Sequence, residues 1–164
     1  MSDLEKQFND IVSDYTERLW WHVRRMVNSH EDADDLLQEI FLKIWAALPS
    51  FRGESQLFTW VWRIATNETL NFLRRESRRP GLTALGAEAE RRIDSDPWFD
   101  GTSAERELAK AVARLPDRQR QVFTLRYWDD LPFDSIAAIT GLSTGALKAS
   151  YHIARKKVEK YLLR

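Results

Sequence analysis

Apolar and aromatic residues recur at the spacing of an α-helix along most of this chain, and no stretch alternates apolar and polar residues as a β-strand does. Three helical segments come before a stretch rich in glycine and proline, and four come after it. They lie at residues 4–27, 31–48 and 55–75, and at residues 104–115, 116–128, 133–140 and 144–163. The pattern predicts an all-α fold.

The glycine- and proline-rich stretch lies at residues 78–105 and has no sustained apolar period. At about 25 residues it is longer than the loops that usually connect helices within one domain. We therefore predict two small helical domains, at residues 1–79 and 105–164, joined by a flexible linker at residues 80–104. A short helix at residues 87–92 is compatible with this prediction.

The composition excludes several classes of protein. The chain has no cysteine, and its three histidines, His22, His30 and His152, are too scattered for a zinc site. No apolar run is long enough for a signal peptide or a membrane span. We therefore expect a cytoplasmic protein without membrane insertion.

The charges are distributed unevenly, although the net charge of the whole chain is zero. Residues 1–79 carry a net charge of −2, whereas residues 105–164 carry +5. From Thr144 onward there are six basic side chains and one acidic side chain, Glu159. The basic C-terminal end favours an anionic partner there, which the net charge alone would not indicate.

The clearest local motif is PFDSIAAITGLSTGALKAS, at residues 132–150. A short helix stops at Gly141, which can adopt the left-handed conformation of a tight turn, and Ser143 can cap the helix that follows. Ala137 is small, as a close crossing of two helices requires. The motif predicts a helix-turn-helix.

The second helix of this motif has two distinct faces. Its inward face is expected to be apolar and aromatic and consists of Leu147, Tyr151, Ala154 and Val158. Its outward face mixes cations with small residues and consists of Gly145, Lys148, Ala149, His152 and Lys156. Cations suit phosphates and small residues allow close approach to base edges, so this face is interpreted as DNA-binding. The alternative is a solvated basic end of a C-terminal helix, which the helix dipole alone would favour.

A second cluster, EDADDLLQEIFLKIW at residues 31–45, is acidic. The helix dipole explains acidic residues in a first turn, but Asp35, Gln38 and Glu39 lie further along and share one face. Such a face suits a basic protein partner and would repel DNA. No histidine or second carboxylate cluster accompanies it at matching spacing, so we expect no catalytic residue, metal or cofactor.

Taken in order, three segments of the chain resemble the extracytoplasmic-function class of bacterial RNA polymerase sigma factors. The segments are DADDLLQEIFLKIW, SFRGESQLFTWVWRIATNETLNFLRR and LPDRQRQVFTLRYWDDLPFDSIAAITGLSTGALKASYHIARKKV. The resemblance implies a first domain that melts the −10 element and reads it as single-stranded DNA, and a second that reads the double-stranded −35 element. It also implies binding to core RNA polymerase through the β′ clamp coiled coil and the β flap. An anti-sigma factor is a further partner that the resemblance allows.

The resemblance also assigns roles to residues of the first domain. Asp35, Gln38 and Glu39 match the surface that docks on the β′ clamp coiled coil, and Trp45 is a further candidate. The loop at residues 50–55 is similar to the specificity loop that captures a flipped −10 base; its candidates are Phe51, Arg52 and Ser55. Asn67 matches the asparagine that lies near this base.

The helix at residues 57–75 adds chemistry suited to unpaired bases. Aromatic rings can stack on them for about 1–3 kcal/mol per base, which makes Trp60 a candidate. Asn71 can bond base edges, as Asn67 can, and the expected phosphate contacts are Arg63, Arg74 and Arg75. Other residues of this helix are compatible with a buried stripe instead: Phe58, Val61, Trp62, Ala65 and Phe72.

In the second domain, the −35 candidates lie on the second helix of the helix-turn-helix. They are Thr144, Gly145, Lys148, Ala149, His152, Ile153, Arg155 and Lys156. Many relatives carry more arginines there, so the base preference of the family is not carried over.

Together these observations predict a non-enzymatic sigma factor that directs core polymerase to promoters. The alternative is a stand-alone helix-turn-helix regulator whose N-terminal half is a sensor or an oligomerisation domain. A small hydrolase built on the acidic helix is disfavoured, because the chain lacks a recognisable nucleophile–base pair.

Overall fold

The computed structural model describes residues 2–27, 29–78, 85–97, 99 and 101–164, and these residues form helices and turns without a strand. The predicted all-α fold is thereby confirmed. The first helices are α1 (Asp3–Met26), α2 (His30–Ala47) and α3 (Leu57–Ser77), and a 3-10 turn, Leu48–Ser50, follows α2. They lie close to the three helical segments predicted from the sequence.

Helices α1, α2 and α3 pack their apolar stripes together. Buried residues from the three helices are Ile11, Leu19 and Val23, then Leu36, Ile40 and Ile44, then Val61, Trp62 and Ala65. The stripe predicted for α3 is thus confirmed at its centre, whereas Phe58 and Phe72 are half-buried. Trp62 stacks on Phe58 with ring centroids 4.2 Å apart, and the Arg18 guanidinium lies over both rings.

The later helices are α4 (Leu85–Asp94), α5 (Ser103–Ala113), α6 (Asp117–Phe123), α7 (Phe133–Thr140) and α8 (Thr144–Leu162). A capping box starts α5: the Thr102 hydroxyl accepts from the Glu105 N–H, and the Glu105 carboxylate accepts from the Thr102 N–H. The cluster that joins α5, α6 and α8 consists of Ala111, Val112, Leu115, Phe123, Ala154 and Val158. In the part of the chain described, no helix has the length and apolarity to cross a membrane.

The segment predicted as one helix at residues 116–128 is divided in the structure. Helix α6 ends at Phe123, and Thr124–Trp128 forms a π-helical turn whose wider ring is closed by the Asp129 N–H donating to the Thr124 carbonyl at 3.0 Å. The apolar spacing does not reveal the π turn, because a single turn at the end of a helical segment is too short to show a change of period.

The segment predicted as a linker contains α4. Ala89 and Ile93 of α4 are buried against Ala113, and the Lys110 ammonium lies 2.6 Å from the Asp94 carboxylate. Other parts of the predicted linker, residues 80–84, 98 and 100, lie outside the described residues. The flexibility of the linker and the domain boundaries at residues 79 and 105 stay predictions.

The two halves of the chain share an apolar core. Besides residues of α1–α3, this core contains Val122, Leu125, Leu131, Ile136, Ile139 and Leu147. A side-chain hydrogen bond crosses at the same place, where Nδ1 of the fully buried His22 lies 2.5 Å from Oδ2 of Asp129. We call the contact of α1 and α3 with α6, the π turn and α7 the interdomain interface. The sequence had offered no prediction of how the halves are arranged.

Side chains of α6 also donate across the interdomain interface to main-chain carbonyls. Arg120 donates to the Met26 carbonyl at 2.6 Å and to the Ala113 carbonyl in its own half. Burial lowers the pKa of Arg120 to about 10, so the side chain remains charged at neutral pH. Gln121, also buried, donates to the Thr66 carbonyl at 3.2 Å.

Candidate polymerase- and DNA-binding surfaces

The predicted docking trio lies on the solvent side of α2. Asp35, Gln38 and Glu39 are all exposed, while the opposite face of the helix is buried in the core. Ser29 caps the helix by accepting from the Asp32 N–H, so the trio begins beyond the first turn. The dipole at the helix start therefore does not explain these three polar residues.

An apolar groove adjoins this trio between α1 and α2. It has a volume of about 580 Å³ and is lined by Phe8, Phe41, Leu42 and Trp45, with Gln38 at its edge. The Phe8 and Trp45 rings meet edge to face, with centroids 5.2 Å apart, and Leu42 is 68% exposed. Of these apolar residues, only Trp45 was predicted from the sequence. Leu42 was the available signal, because it is an apolar residue off the buried stripe of α2.

The loop at residues 50–55 packs against α3 through an aromatic contact. The half-buried Phe51 lies against Trp60 of α3, with ring centroids 4.8 Å apart and a tilt of 37°. Gly53 has a φ of 73°, a left-handed conformation that favours glycine. Arg52 is exposed and Ser55 is half-buried. The structure therefore brings Phe51 and Trp60, two predicted base contacts, into a single aromatic cluster.

The remaining −10 candidates line the outer face of α3. Arg63, Asn67, Asn71, Arg74 and Arg75 are all exposed, and the opposite face of the helix is held in the core by Trp62 and its neighbours. Two amide groups thus lie between guanidinium groups along one solvent-facing side. This arrangement can hydrogen-bond base edges and neutralise the phosphates of a strand that runs along the helix.

One of these residues has a partner inside the protein. Arg63 donates through Nη2 to the main-chain carbonyl of Ala138 in α7, at 2.7 Å. Arg63 was predicted from the sequence to contact a phosphate. The bond to Ala138 could not be predicted, because every residue has a main-chain carbonyl and no residue type marks this acceptor.

The helix-turn-helix is confirmed in its local geometry. Gly141 has a φ of 78°, and its N–H donates to the Ala137 carbonyl at 2.8 Å, which ends α7. Ser143 caps α8 by accepting from the Ala146 N–H at 3.1 Å. Ile139 and Leu147 are buried, so the two helices meet through apolar contacts.

The two faces of α8 also lie as predicted. Leu147, Ala154 and Val158 are buried and Tyr151 is half-buried. The exposed residues on the other side are Gly145, Lys148, Ala149, His152, Ile153, Arg155 and Lys156. Thr144 is half-buried at the start of the helix. These exposed residues, most of them cations or small side chains, occupy one side of α8.

Comparisons with known proteins identify both halves of the chain. Residues 11–79 match the family model described as Sigma-70 region 2, and residues 105–158 match the one described as Sigma-70, region 4. The first match contains the acidic face of α2, the loop at residues 50–55 and α3. The second contains the helix-turn-helix.

Curated relatives match over nearly the whole chain. The ECF RNA polymerase sigma-E factor of Escherichia coli is 35% identical, over 94% of this chain and 86% of the relative. The RNA polymerase sigma-H factor of Pseudomonas aeruginosa is 29% identical, over 96% of this chain and 87% of the relative.

Solved structures show the same fold. A sigma factor RpoE, in complex with the anti-sigma factor NepR from Bartonella quintana, matches with a TM-score of 0.71 and 24% identity, over 96% of this chain and 97% of that one. CnrH, in complex with the cytosolic domain of CnrY, matches with a TM-score of 0.70 and 23% identity, over 96% of this chain and 88% of that one.

Proposed function

The chain belongs to the extracytoplasmic-function class of RNA polymerase sigma factors. We propose that one of its surfaces binds core polymerase, a second binds the −10 element and a third binds the −35 element. As an alternative sigma factor it binds core RNA polymerase and promoter DNA and directs transcription initiation. The proposal concerns which residues make each contact. It assigns the chain no catalytic residue, metal or cofactor, because the polymerase performs the chemistry.

The acidic face of α2 docks on core polymerase. Asp35, Gln38 and Glu39 supply acceptors for a basic helical surface, the β′ clamp coiled coil. The adjoining apolar groove, with Trp45, can receive an apolar side chain of that surface. Charge complementarity of this kind accelerates encounter, and the buried apolar contact slows dissociation.

The loop at residues 50–55 and the outer face of α3 hold the −10 strand. Phe51 and Trp60 offer ring faces to an unstacked base, and Asn67 and Asn71 offer amides to base edges. Arg52, Ser55, Arg63, Arg74 and Arg75 complete the surface with donors for the strand backbone.

The helix-turn-helix places α8 in the major groove of the −35 element. The single observation that carries this assignment is the exposed face of α8, which combines cations with small residues beyond a correctly formed turn. Lys156 and Arg155 serve phosphates, while Lys148, Ala149 and His152 lie nearer to base edges. The same half of the chain contacts the β flap, and an anti-sigma factor is a further expected partner in the cytoplasm.

In vitro transcription with purified core polymerase on a genomic fragment library tests this function. We expect specific transcripts only when the protein and core polymerase are both present, with start sites downstream of one shared pair of −35 and −10 motifs. Tight, sequence-specific binding to duplex DNA without polymerase, and no transcripts with it, would support the stand-alone regulator instead.

A further inference from the structure

A second groove lies beside α1 and contains none of the residues proposed to contact polymerase or DNA. We call it the tryptophan groove; the rings of Trp20, Trp21, Phe99 and Trp128 line it, together with the apolar side chains of Ile93 and Leu108. Its volume is about 320 Å³. Sites for small molecules have volumes of about 300–1,000 Å³, so the groove is large enough for a small ligand.

The aromatic surface of the tryptophan groove is formed in advance and is partly open to water. The Trp20 and Trp21 rings meet edge to face, with centroids 4.9 Å apart, and Trp21 is 40% exposed. Trp20 is held in place by its indole N–H, which donates to Asp34 at 2.8 Å. A ligand with an apolar body would remove this aromatic surface from water at little cost in ordering the protein.

Arg25 is the cation of this groove that lacks an acceptor. Its guanidinium carbon lies over the rings of Trp21 and Trp128, 5.4 Å from each centroid. A cation–π contact supplies no lone pair, so the guanidinium N–H groups still require acceptors. Within the described part of the chain, the Arg25 side chain has neither a hydrogen bond nor an ion pair. It is half-buried, and burial lowers its pKa, although arginine remains charged at neutral pH.

The nearby charged groups already have partners of their own. Arg24, which also lines the groove, pairs with the Asp96 carboxylate. Asp129 attracts Arg25 and raises its pKa, but Oδ2 of Asp129 lies 2.5 Å from Nδ1 of His22. Arg25 is therefore the guanidinium of this groove that is available to an anion from outside the chain.

Acidic side chains limit how much negative charge a ligand can carry. Glu105 lines the groove while its carboxylate accepts from the Thr102 N–H, and Asp129 directly follows Trp128. A nucleic-acid strand or a polyphosphate would be repelled by these carboxylates. A single anionic group at Arg25, on an otherwise apolar molecule, avoids most of this repulsion.

We propose that the tryptophan groove binds a small aromatic ligand with one anionic group, such as a carboxylate or a sulfonate. The anionic group accepts from Arg25, whose planar guanidinium can donate two parallel N–H bonds to it. The rings of the ligand contact Trp20, Trp21 and Trp128, in the edge-to-face or offset arrangements that aromatic pairs prefer. This inference does not depend on the residues proposed for promoter or polymerase contact.

Two fluorescent probes that differ in one group test the proposal on the whole chain. Anilinonaphthalene sulfonate has an aromatic body with one anionic group, and N-phenylnaphthylamine has the same rings without the sulfonate. We expect anilinonaphthalene sulfonate to bind the folded protein at one site. Arg25→Gln should weaken this binding about tenfold, the effect of losing one charge-assisted contact, and should leave the affinity for N-phenylnaphthylamine unchanged.

Arg18→Gln is the matched control. Arg18 also lies on α1 with its guanidinium over two aromatic rings, those of Phe58 and Trp62, but it is outside the tryptophan groove. This variant should bind anilinonaphthalene sulfonate as the wild-type protein does. Circular dichroism establishes that each variant is folded. Should Arg25→Gln fail to fold, Trp21→Ala removes a ring of the groove at an exposed position and should also weaken binding of the sulfonate probe.

The indole N–H signals of the tryptophans locate the probe in nuclear magnetic resonance spectra. Anilinonaphthalene sulfonate should shift the signals of Trp20, Trp21 and Trp128, which line the groove, and leave that of Trp62 in place. Shifts at Trp45 instead would place the probe in the groove between α1 and α2 and overturn the proposal.

Wild-type affinity for the sulfonate probe in every folded groove variant would likewise overturn the proposal, as would the absence of binding to the wild-type protein. A loss confined to the groove variants and to the charged probe supports it. These measurements use neither polymerase nor DNA. They are therefore independent of the transcription assay, whose failure would overturn the proposed function instead.

Discussion

Tyr161 donates its hydroxyl hydrogen to Oε1 of Glu90 across 2.7 Å and thereby joins the last helix of the chain to α4. Arg114, just after α5, donates to the same oxygen at 2.5 Å. These contacts, with the bond from Arg114 as the largest cause, lower the pKa of Glu90 from an ordinary 4.5 to about 2. The segment predicted as a linker is thus tied to α5 and α8 through one carboxylate.

We expect Glu90→Gln to reduce the pH dependence of stability. A carboxyl group whose pKa is lowered by folding stabilises the folded state above the unfolded pKa, and this contribution disappears as the pH falls from about 5 to about 2. At pH 7 the variant should be less stable by about 1 kcal/mol, a modest value because the site is partly exposed to solvent. Urea unfolding at a series of pH values measures both effects. Glu159→Gln, at an exposed carboxylate on α8, should keep the wild-type slope, and an equally steep slope in Glu90→Gln would contradict the assignment.

Glu39→Arg should weaken binding to core polymerase without unfolding the protein. Glu39 is exposed on α2, so the free energy of unfolding should change by less than about 0.5 kcal/mol. The reversed charge would repel a basic coiled coil, and the loss should diminish at high salt, where the wild-type attraction is also screened. A pull-down with core polymerase measures it, with Glu17→Arg on the exposed surface of α1 as the control. Equal affinity of Glu39→Arg and wild type would remove α2 from the docking surface.

Two lysines of α8 should have separable effects on the −35 element. Lys156→Ala should weaken binding to a similar extent on all sequences and lower the salt dependence, because it removes a phosphate contact. Lys148→Ala should also change the base preference, by about 1–3 kcal/mol at the affected position. Binding to a panel of −35 variants at several salt concentrations distinguishes the two. If both changes had the same profile across the panel, the orientation assigned to α8 would be wrong.

Phe51→Ala and Asn67→Ala should impair formation of the open complex and leave polymerase binding intact. The ring and the amide need unpaired bases, so they act after the duplex opens. Permanganate footprinting of thymines measures opening. On a template already mismatched across the −10 element, the deficit should persist, because a loop pocket and an amide suit the capture of a base more than the separation of strands. Normal reactivity of both variants on paired DNA would exclude these residues from the −10 surface.

Gly141→Ala should lower the stability of the helix-turn-helix by about 1 kcal/mol, through backbone strain alone. No atom lies within 4 Å of the place that a Cβ would take at Gly141, so the φ of 78° is the whole cause. Gly145→Ala is the matched comparison, because its Cβ would also meet open space but within a regular helix. That variant should lose no stability and gain up to about 1 kcal/mol. Thermal unfolding of both proteins measures the difference, and equal losses would contradict the role assigned to the turn.

Local features of the fold were predictable because short-range chemistry determines them. The apolar period predicted where the helices lie, and the spacing on α8 predicted its exposed face. Gly141 predicted the turn, and Ser143 predicted the cap of α8. The exposure of Asp35, Gln38 and Glu39 was predicted from the same period on α2. In each case the relevant interactions join residues at most a few positions apart.

Features that depend on contacts between distant segments were not predictable in this way. The spacing of polar residues does not show that Arg63 donates to the Ala138 carbonyl. It also does not show that Glu90 of α4 accepts hydrogen bonds from Arg114 and Tyr161. The π turn at Thr124–Trp128 is likewise too short to show as a change in the apolar period. The groove beside Trp45 was missed because Phe8 comes from a different helix. Such contacts depend on how the helices pack against one another, and the apolar period of a single helix does not determine that packing.

Three of the hydrogen bonds across the interdomain interface share one property with a consequence for how this protein can evolve. Arg63, Arg120 and Gln121 all donate to main-chain carbonyls, those of Ala138, Met26 and Thr66. Because every residue type carries a carbonyl, substitution at an acceptor position retains the acceptor wherever the backbone stays in place. For these three bonds, only the donor side chains need to be inherited. At these three acceptor positions the sequence can therefore diverge freely, and a chimaera that takes one half from a relative should retain these bonds if it retains those donors.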